Sequence, residues 1–391
     1  MICWIPMINT LNLNIEKRDY QERIFNKALK YISEFLKKKA AGELKPDAAA
    51  TLLIESPTGS GKTVVGQAIL KALSIGMVNN TIYEPLWIAH RRELLRQANK
   101  TNEDVFKIQG FETMSMFDRN PDRFRGQKKV LLVDEAQHDP AASSASIHSA
   151  IQPEIIIGLT ATPYRVDRAK LCFEKVIKDA GIHQLIREGW LAPFQQYMME
   201  GDWTPANVTR VFMQQPEEWG LSVSYFLRVE EAIEMADRLK AEGIKAESIT
   251  GDSDREDILE AFHAGEIQHL SNCMVLTEGF DAPKLKTAFV RASSKGPTIQ
   301  MAGRAFRKHI STPYVNVVQN EFTKFPFTRH ATAEMQYVEE NGIWKHIGNK
   351  DIEPIIQKNR FKRVQVKIEL PEYLIKKKAK SRKNPFGNSW L

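Results

Sequence analysis

Cysteine is scarce in this chain: Cys3, Cys172 and Cys273 are the only three among 391 residues, and none lies within metal-ligand spacing of another. Neither a disulfide framework nor a cysteine-rich zinc module can be built from them, so no protein-held structural metal is expected and a reducing compartment fits. Long apolar runs are missing as well. No stretch approaches the ~18 apolar residues that a membrane span needs, so no membrane partner is expected. The apolar patch at Met1–Ile8 lacks a basic flank and a small-residue cleavage site, so it does not read as a signal peptide and a cytoplasmic location is expected. No fixed-period repeat is present, and no low-complexity tract outside the lysine-rich end. With 42% hydrophobic and 26% charged residues, the composition excludes a disordered or fibrous chain.

An acidic surplus is absent too. The formal net charge is +7, unevenly placed: from Ile355 to Leu391 eleven Lys and Arg face two acids, a local +9, which leaves −2 for the other 354 residues. Such a basic end is either a solvated tail or a polyanion contact, because clustered Lys and Arg release counterions from phosphate backbones. Charge alone does not choose between them.

What is present is alternation. Short β-branched runs alternate with amphipathic helical patterns, which predicts parallel strands joined by helices. Strands are predicted at Thr51–Glu55, Pro85–Ala89, Val130–Asp134 and Glu154–Leu159, with helices at Thr63–Leu73 and Arg92–Lys100. A less regular stretch runs from Arg165 to Gly220. The alternation then resumes with strands at Leu221–Phe226, Ala246–Thr250, Leu270–Leu276, Thr287–Arg291 and Tyr314–Gln319, and helices at Val229–Ala241, Asp254–His263 and Thr298–Lys308. Two α/β units with a connecting segment account for this pattern.

The strongest local signal is Ser56-Pro57-Thr58-Gly59-Ser60-Gly61-Lys62-Thr63, placed directly between a predicted strand and a predicted helix. Glycines let the backbone fold around an anion so that successive N–H groups and the helix N-terminus face phosphate oxygens. Lys62 would reach the β- and γ-phosphates, and the Thr63 hydroxyl would hold Mg²⁺. A second signal is the apolar run Val130–Val133 ending in Asp134-Glu135-Ala136-Gln137-His138. A buried strand delivers these carboxylates to the end of the sheet where α/β proteins bind ligands. There Asp134 would bind Mg²⁺ through its water shell, and Glu135 would orient and deprotonate an attacking water.

The order of motifs resembles the superfamily 2 helicases, ATP-dependent motors on nucleic acid, over residues 15 to 320. Arg18-Asp19-Tyr20-Gln21 looks like the adenine-recognition motif, Ser56–Thr63 is similar to motif I, and His90-Arg91-Arg92-Glu93-Leu94 looks like motif Ia. Gln109–Thr113 loosely resembles the next strand-contacting motif. Asp134–His138 matches motif II, Thr160-Ala161-Thr162 motif III, Thr277-Glu278-Gly279-Phe280-Asp281-Ala282-Pro283 motif V and Gln300–Arg307 motif VI. The form of motif V and the Gly-Trp-Leu-Ala-Pro stretch ending at Pro193 look most like the RadD-type bacterial and phage DNA helicases.

The resemblance implies two tandem RecA-like parallel-sheet domains of the α/β class, with an ATP cleft between them and a basic C-terminal extension. The expected division is an N-terminal extension at 1–14, a first domain at 15–183, a connecting segment at 184–220, a second domain at 221–320 and an extension at 321–391. ATP would be held by Arg18, Gln21, Thr58, Gly59, Ser60, Gly61, Lys62 and Thr63, with Gly279 and Asp281 from the second domain. Arg304 and Arg307, three residues apart and so on one helix face, would approach the γ-phosphate in register with Gln300. Strand contacts would come from Arg91, Gln109, Thr160, Thr162 and Thr277, with Lys376, Lys377 and Lys378 as auxiliary phosphate contacts. Trp87 and Phe111 are read as core, and His138 as a bridge to motif VI.

The expected partner is single-stranded or branched DNA, and two alternatives stay open: an RNA remodeller, and a motor subunit of a restriction or defence complex. Between Gln97 and Val130 lie 32 residues, and between Pro283 and Gln300 only 16. Neither interval has room for a long strand-splitting hairpin beyond what the fold requires, so a translocase or modest remodeller is expected, with 321–354 and the basic tail as the places for any such element.

Overall fold

Strands buried on both faces read as unbroken apolar runs, and Val130–Val133 and Ile155–Thr160 bury every side chain they carry. These runs form the centre of the first of two sheets in the computed structural model, which describes residues 8–11, 13, 15, 16, 18–138, 141–162, 171, 173–251, 255–273, 276, 280 and 282–348. In chain order the first lobe comprises α1 (Asp19–Ala40), β1 (Ala50–Glu55), α2 (Lys62–Ser74), β2 (Pro85–Ala89) and α3 (Arg92–Thr101). It continues with β3 (Glu112–Ser115), β4 (Val130–Val133), α4 (Ala141–Ile151), β5 (Ile155–Thr160) and β6 (Lys175–Lys178). The strand order is β3-β2-β4-β5-β1-β6 and every pairing is parallel. All strands therefore present their C-terminal ends on one side, and β5 separates the strand before the glycine-rich loop from the strand before Asp134.

The second lobe comprises α5 (Ile182–Arg187), β7 (Phe194–Met199), α6 (Pro205–Gln214), α7 (Pro216–Trp219), β8 (Ser222–Phe226), α8 (Val229–Ala241) and β9 (Ala246–Ile249). It closes with α9 (Arg255–Ala264), β10 (His269–Cys273), β11 (Thr287–Phe289), α10 (Lys295–Gly303), β12 (Val315–Asn320), β13 (Met335–Glu340) and β14 (Ile343–Ile347). Its order is β14-β13-β7-β12-β11-β8-β10-β9, parallel throughout except for the β13–β14 pair. Two tandem parallel-sheet units of the RecA-like type are thus present. Among the described residues, no helix is long and apolar enough to cross a membrane.

Three differences from the sequence reading have physical causes. The segment expected to connect the lobes, 184–220, contributes β7 to the middle of the second sheet, between β12 and β13. Its signal is masked by Gln195 and Gln196, yet Gln196 is fully buried, and its amide donates to the carbonyls of Val317 and Tyr197, so the sheet tolerates it. Part of the expected C-terminal extension is also sheet. β13 and β14 form a hairpin across Asn341-Gly342, both at positive φ as a tight hairpin turn demands. Buried Glu339 ties this hairpin to α6 by accepting from Arg210 and from the Gln214 amide at 2.6 Å. Finally, α10 starts at Lys295 and ends at Gly303, short of the expected Lys308.

Candidate nucleotide site at the seam of the lobes

The glycine-rich loop leaves β1 and enters α2 through Gly61, whose φ of 78° only glycine adopts without strain. A Cβ at this position would lie 2.6 Å from the Gln21 Nε2. The loop is braced from within: the Ser56 and Ser60 hydroxyls are 2.8 Å apart, and the Ser60 hydroxyl donates to the Pro57 carbonyl at 2.6 Å. It is also braced from α1, because the Tyr20 hydroxyl and the Gln21 amide both donate to the Ser60 carbonyl, at 2.5 and 2.9 Å. Gly61→Ala is therefore expected to cost at least about 1 kcal/mol of stability through left-handed strain and to displace Gln21. Thermal melts should show a lowered midpoint and no added stabilisation by ATP. A variant that melts like the parent and gains the same shift would refute this account of the loop.

The carboxylates stand where the sheet places them. Asp134 and Glu135 are both buried at the C-terminal end of β4, and the Glu135 backbone takes a left-handed φ of 49°. A non-glycine residue held at such a φ is strained, a feature that clusters at functional sites. The turn is fixed by the Glu135 N–H donating to Asp134 Oδ1 at 3.0 Å and the Asp134 N–H donating to the Ile88 carbonyl. Lys62 Nζ lies 3.9 Å from Glu135 Oε1, so the first residue of α2 faces motif II directly. Glu135 Oε2 accepts from the Gln137 amide at 2.9 Å, and Gln137 Oε1 accepts from the Thr160 hydroxyl at 2.6 Å. Because Ser56 N–H donates to the Thr160 carbonyl, one residue at the end of β5 links the loop to the carboxylates.

The second lobe meets this loop face to face. A Cβ on Gly303 would come 2.9 Å from Thr58 Cβ, and one on Gly59 would meet Leu191 at 3.2 Å and Arg307 Cγ at 3.7 Å. Arg307 is set there by its backbone, which pairs with Leu191 in an antiparallel bridge, while Ala192 N–H donates to the Phe306 carbonyl at 2.9 Å. Burial, together with the positive charge of Arg18, pushes the Arg307 guanidinium down to about 10, and it remains a cation at neutral pH. The expectation that Arg304 and Arg307 share a helix face is corrected. The helix stops at Gly303, Arg304 turns inward to donate to the Phe280 carbonyl at 3.0 Å, and Arg307 lies beyond the helix in extended chain. Gln300 is on α10, partly exposed.

The structure sorts the expected strand contacts. Arg91 caps α3 just past the C-terminal end of β2 and is partly exposed. Gln109 is removed from this set: it precedes β3, at the opposite end of the parallel sheet, beside the Gly110 carbonyl that accepts from buried Lys128. Thr160 is removed too, since it is fully buried and its hydroxyl is committed to Gln137 and the Thr162 carbonyl. Thr162 stays at the seam, its methyl 3.6 Å from where a Cβ on Gly296 would stand. Thr277, Gly279, Asp281, Lys376, Lys377 and Lys378 lie outside the described residues. Trp87 is buried and packs its ring 6.3 Å from that of Phe111, as core residues do, and His138 stacks on His90 at 4.5 Å. Further along the seam, α3 and α9 are joined by ion pairs between Glu93 and Arg255, at 2.9 Å, and between Arg96 and Glu256.

Residues 14–123 match the family described as type III restriction enzyme, res subunit. The chain is 25% identical over 322 residues to IRC3 of Saccharomyces cerevisiae, a protein named as an ATP-dependent helicase, covering 67% of this chain and 47% of that one. It is 26% identical over 338 residues to the 51.5 kDa protein of a Lactococcus phage, covering 77% of this chain and 72% of that one. Its fold superposes with a TM-score of 0.61, at 20% identity, on a fragment of the HsdR subunit of a type I restriction enzyme from Vibrio vulnificus, covering 86% of this chain and 72% of that one. Over about two thirds of its length the chain is similar to proteins named as ATP-dependent helicases, in keeping with the superfamily 2 resemblance of its motifs. It spans about half the length of the yeast helicase it matches.

Within this site, sequence reasoning missed three contributors. Tyr20 was passed over although its hydroxyl shares the Ser60 carbonyl with Gln21. Leu191 was passed over because its contact with Gly59 spans the two lobes. Trp190, beneath the Arg18 guanidinium at 5.6 Å, carried a signal only as part of the Gly-Trp-Leu-Ala-Pro stretch.

Proposed function

We propose that the chain hydrolyses ATP at the seam of its lobes and uses the resulting opening and closing to move along or remodel nucleic acid, with DNA as the preferred track. The observation that carries this reading is the approach of Gly303 and Arg307 to Thr58 and Gly59. It brings a partly buried cation from one lobe to the phosphate cradle of the other, so that hydrolysis depends on closure. In this reading Lys62 and the loop N–H groups hold the phosphates, Glu135 takes the proton of the attacking water, and Arg307 meets the charge that develops on the γ-phosphoryl group.

The donor set fits a magnesium ion. One hydroxyl, Thr63, and one carboxylate, Asp134, suit a hard cation that keeps several waters and shares phosphate oxygens. Bound there, Mg²⁺ would supply charge neutralisation. Gln21 gives a basis for choosing adenine. The Ser60 carbonyl can only accept, so it fixes the Gln21 amide with nitrogen toward the loop and Oε1 free to accept from an exocyclic amine. Guanine would present a carbonyl there and be repelled.

Preference for DNA rests on the resemblance in motif V, and the family match to a restriction subunit favours a second reading as the motor of such a complex. One panel tests the motor reading and its track: ATP turnover by the full chain with no polymer, single-stranded DNA, forked DNA and RNA. DNA is expected to raise turnover at least about tenfold, RNA much less, as ribose 2′-hydroxyls are what distinguish the two strands chemically. Turnover that is the same under all four conditions would remove the motor reading, and stimulation by RNA alone would remove the DNA preference. The lysine-rich end, with Lys376, Lys377 and Lys378, is proposed as an auxiliary phosphate contact on the same track.

A further inference from the structure

Trp190 takes no part in handling the phosphates, yet it stands beside the residues placed to read the base. It lies just past α5 and is partly exposed, in a turn pinned where its own N–H and that of Leu191 both donate to the Leu185 carbonyl, at 2.8 and 3.1 Å. The next two residues are fastened to the second lobe, Leu191 through its bridge with Arg307 and Ala192 through the Phe306 carbonyl. The Arg18 guanidinium stands over the indole at 5.6 Å from the ring centre, and the Tyr20 ring meets the indole edge-on at 6.1 Å and 61°. Arg18 is steered from its other side by Glu16 at 2.6 Å and by the Tyr20 hydroxyl at 3.4 Å. Gln21 follows on the same turn of α1.

We propose that Trp190 is a nucleobase-binding residue: the base of the bound nucleotide stacks against the Arg18–Trp190 pair while Gln21 reads its edge. The inference rests on the nucleotide reading above and goes beyond it by giving the inter-lobe segment a direct part in recognising the base. Arginine and tryptophan are the two side chains whose flat faces best accept a purine, and Arg18 and Trp190 already satisfy each other by a cation–π contact that a base can share. Trp87 and Trp219 are fully buried, whereas Trp190 is only partly buried. The placement has a consequence for coupling. A base held by Trp190 is held by the same short segment that fixes Arg307 through Leu191, so base and γ-phosphate would be sensed by one piece of chain.

The test compares ATP with inorganic tripolyphosphate, which has the phosphates and no base, on the full chain and on W190A, W190L and W190F. KM for ATP should rise about tenfold in W190A and in W190L, the latter keeping bulk without an aromatic face, and recover to within about threefold in W190F. kcat should change by no more than about twofold, and the inhibition constant of tripolyphosphate should stay the same in all four proteins. An unchanged KM for ATP in W190L overturns the inference, as does a parallel loss of ATP and tripolyphosphate, which would make Trp190 a strut for the loop. A parent chain that binds neither compound would overturn the nucleotide reading itself, and this inference with it.

Discussion

Replacing Arg307 with Ala is expected to lower kcat for ATP roughly 10³-fold or more, the scale found when an arginine is withdrawn from the developing charge of a transferring phosphoryl group. The expectation follows from where the side chain stands: partly buried, across the seam from Gly59, with its charged form disfavoured by desolvation and by Arg18. A triphosphate in the cradle would relieve both penalties, most of all in the transition state. Lysine should rescue little, because a point charge lacks the forked geometry of the guanidinium. Single-turnover hydrolysis with saturating DNA would measure this, and a loss smaller than about tenfold would show that Arg307 serves only to hold Leu191 and the loop together.

Glu135→Gln should lower hydrolysis by roughly 10²- to 10⁴-fold, the usual worth of a positioned general base, while leaving ATP binding close to that of the parent. The isostere keeps the local architecture, since its amide oxygen can still accept from the Gln137 amide that now donates to Oε2 at 2.9 Å. Only the ability to take a proton is removed. Calorimetric binding of ATP alongside turnover separates the two roles. Retained turnover would point to a clamp that grips nucleotide without hydrolysing it, and lost binding would assign Glu135 to holding Lys62, 3.9 Å away.

Much of the site was legible in the sequence because its chemistry is local. Ser56–Thr63 and Asp134-Glu135 are contiguous, and each follows an apolar run that could only be a buried strand. What was not legible depends on relations between distant segments. Gln109 sits next to a strand as Arg91 does, but one precedes its strand and the other follows it, so the parallel sheet sends them to opposite ends. Thr160 resembles a surface residue until β5 is placed between β1 and β4, which buries it completely. The early stop of α10 falls at Gly303, a poor helix former, and beyond it Arg307 is held in a bridge to Leu191, a residue 116 positions away. β7 was hidden because Gln195 and Gln196 interrupt its apolar pattern, and only the carbonyl of Val317 in the neighbouring strand makes the second of them acceptable in a core.

The ties between α3 and α9 bear on how readily the lobes part company. Arg96 and Glu256 are each more than two-thirds exposed, while Arg255 and Glu93 are more sheltered, at 18% and 35%. An ion pair as wetted as Arg96–Glu256 is worth about 1 kcal/mol or less, and salt weakens it further. The outer fastener is therefore of roughly thermal strength, as the proposed opening and closing requires, and its hold would drift with the ionic strength of the surroundings.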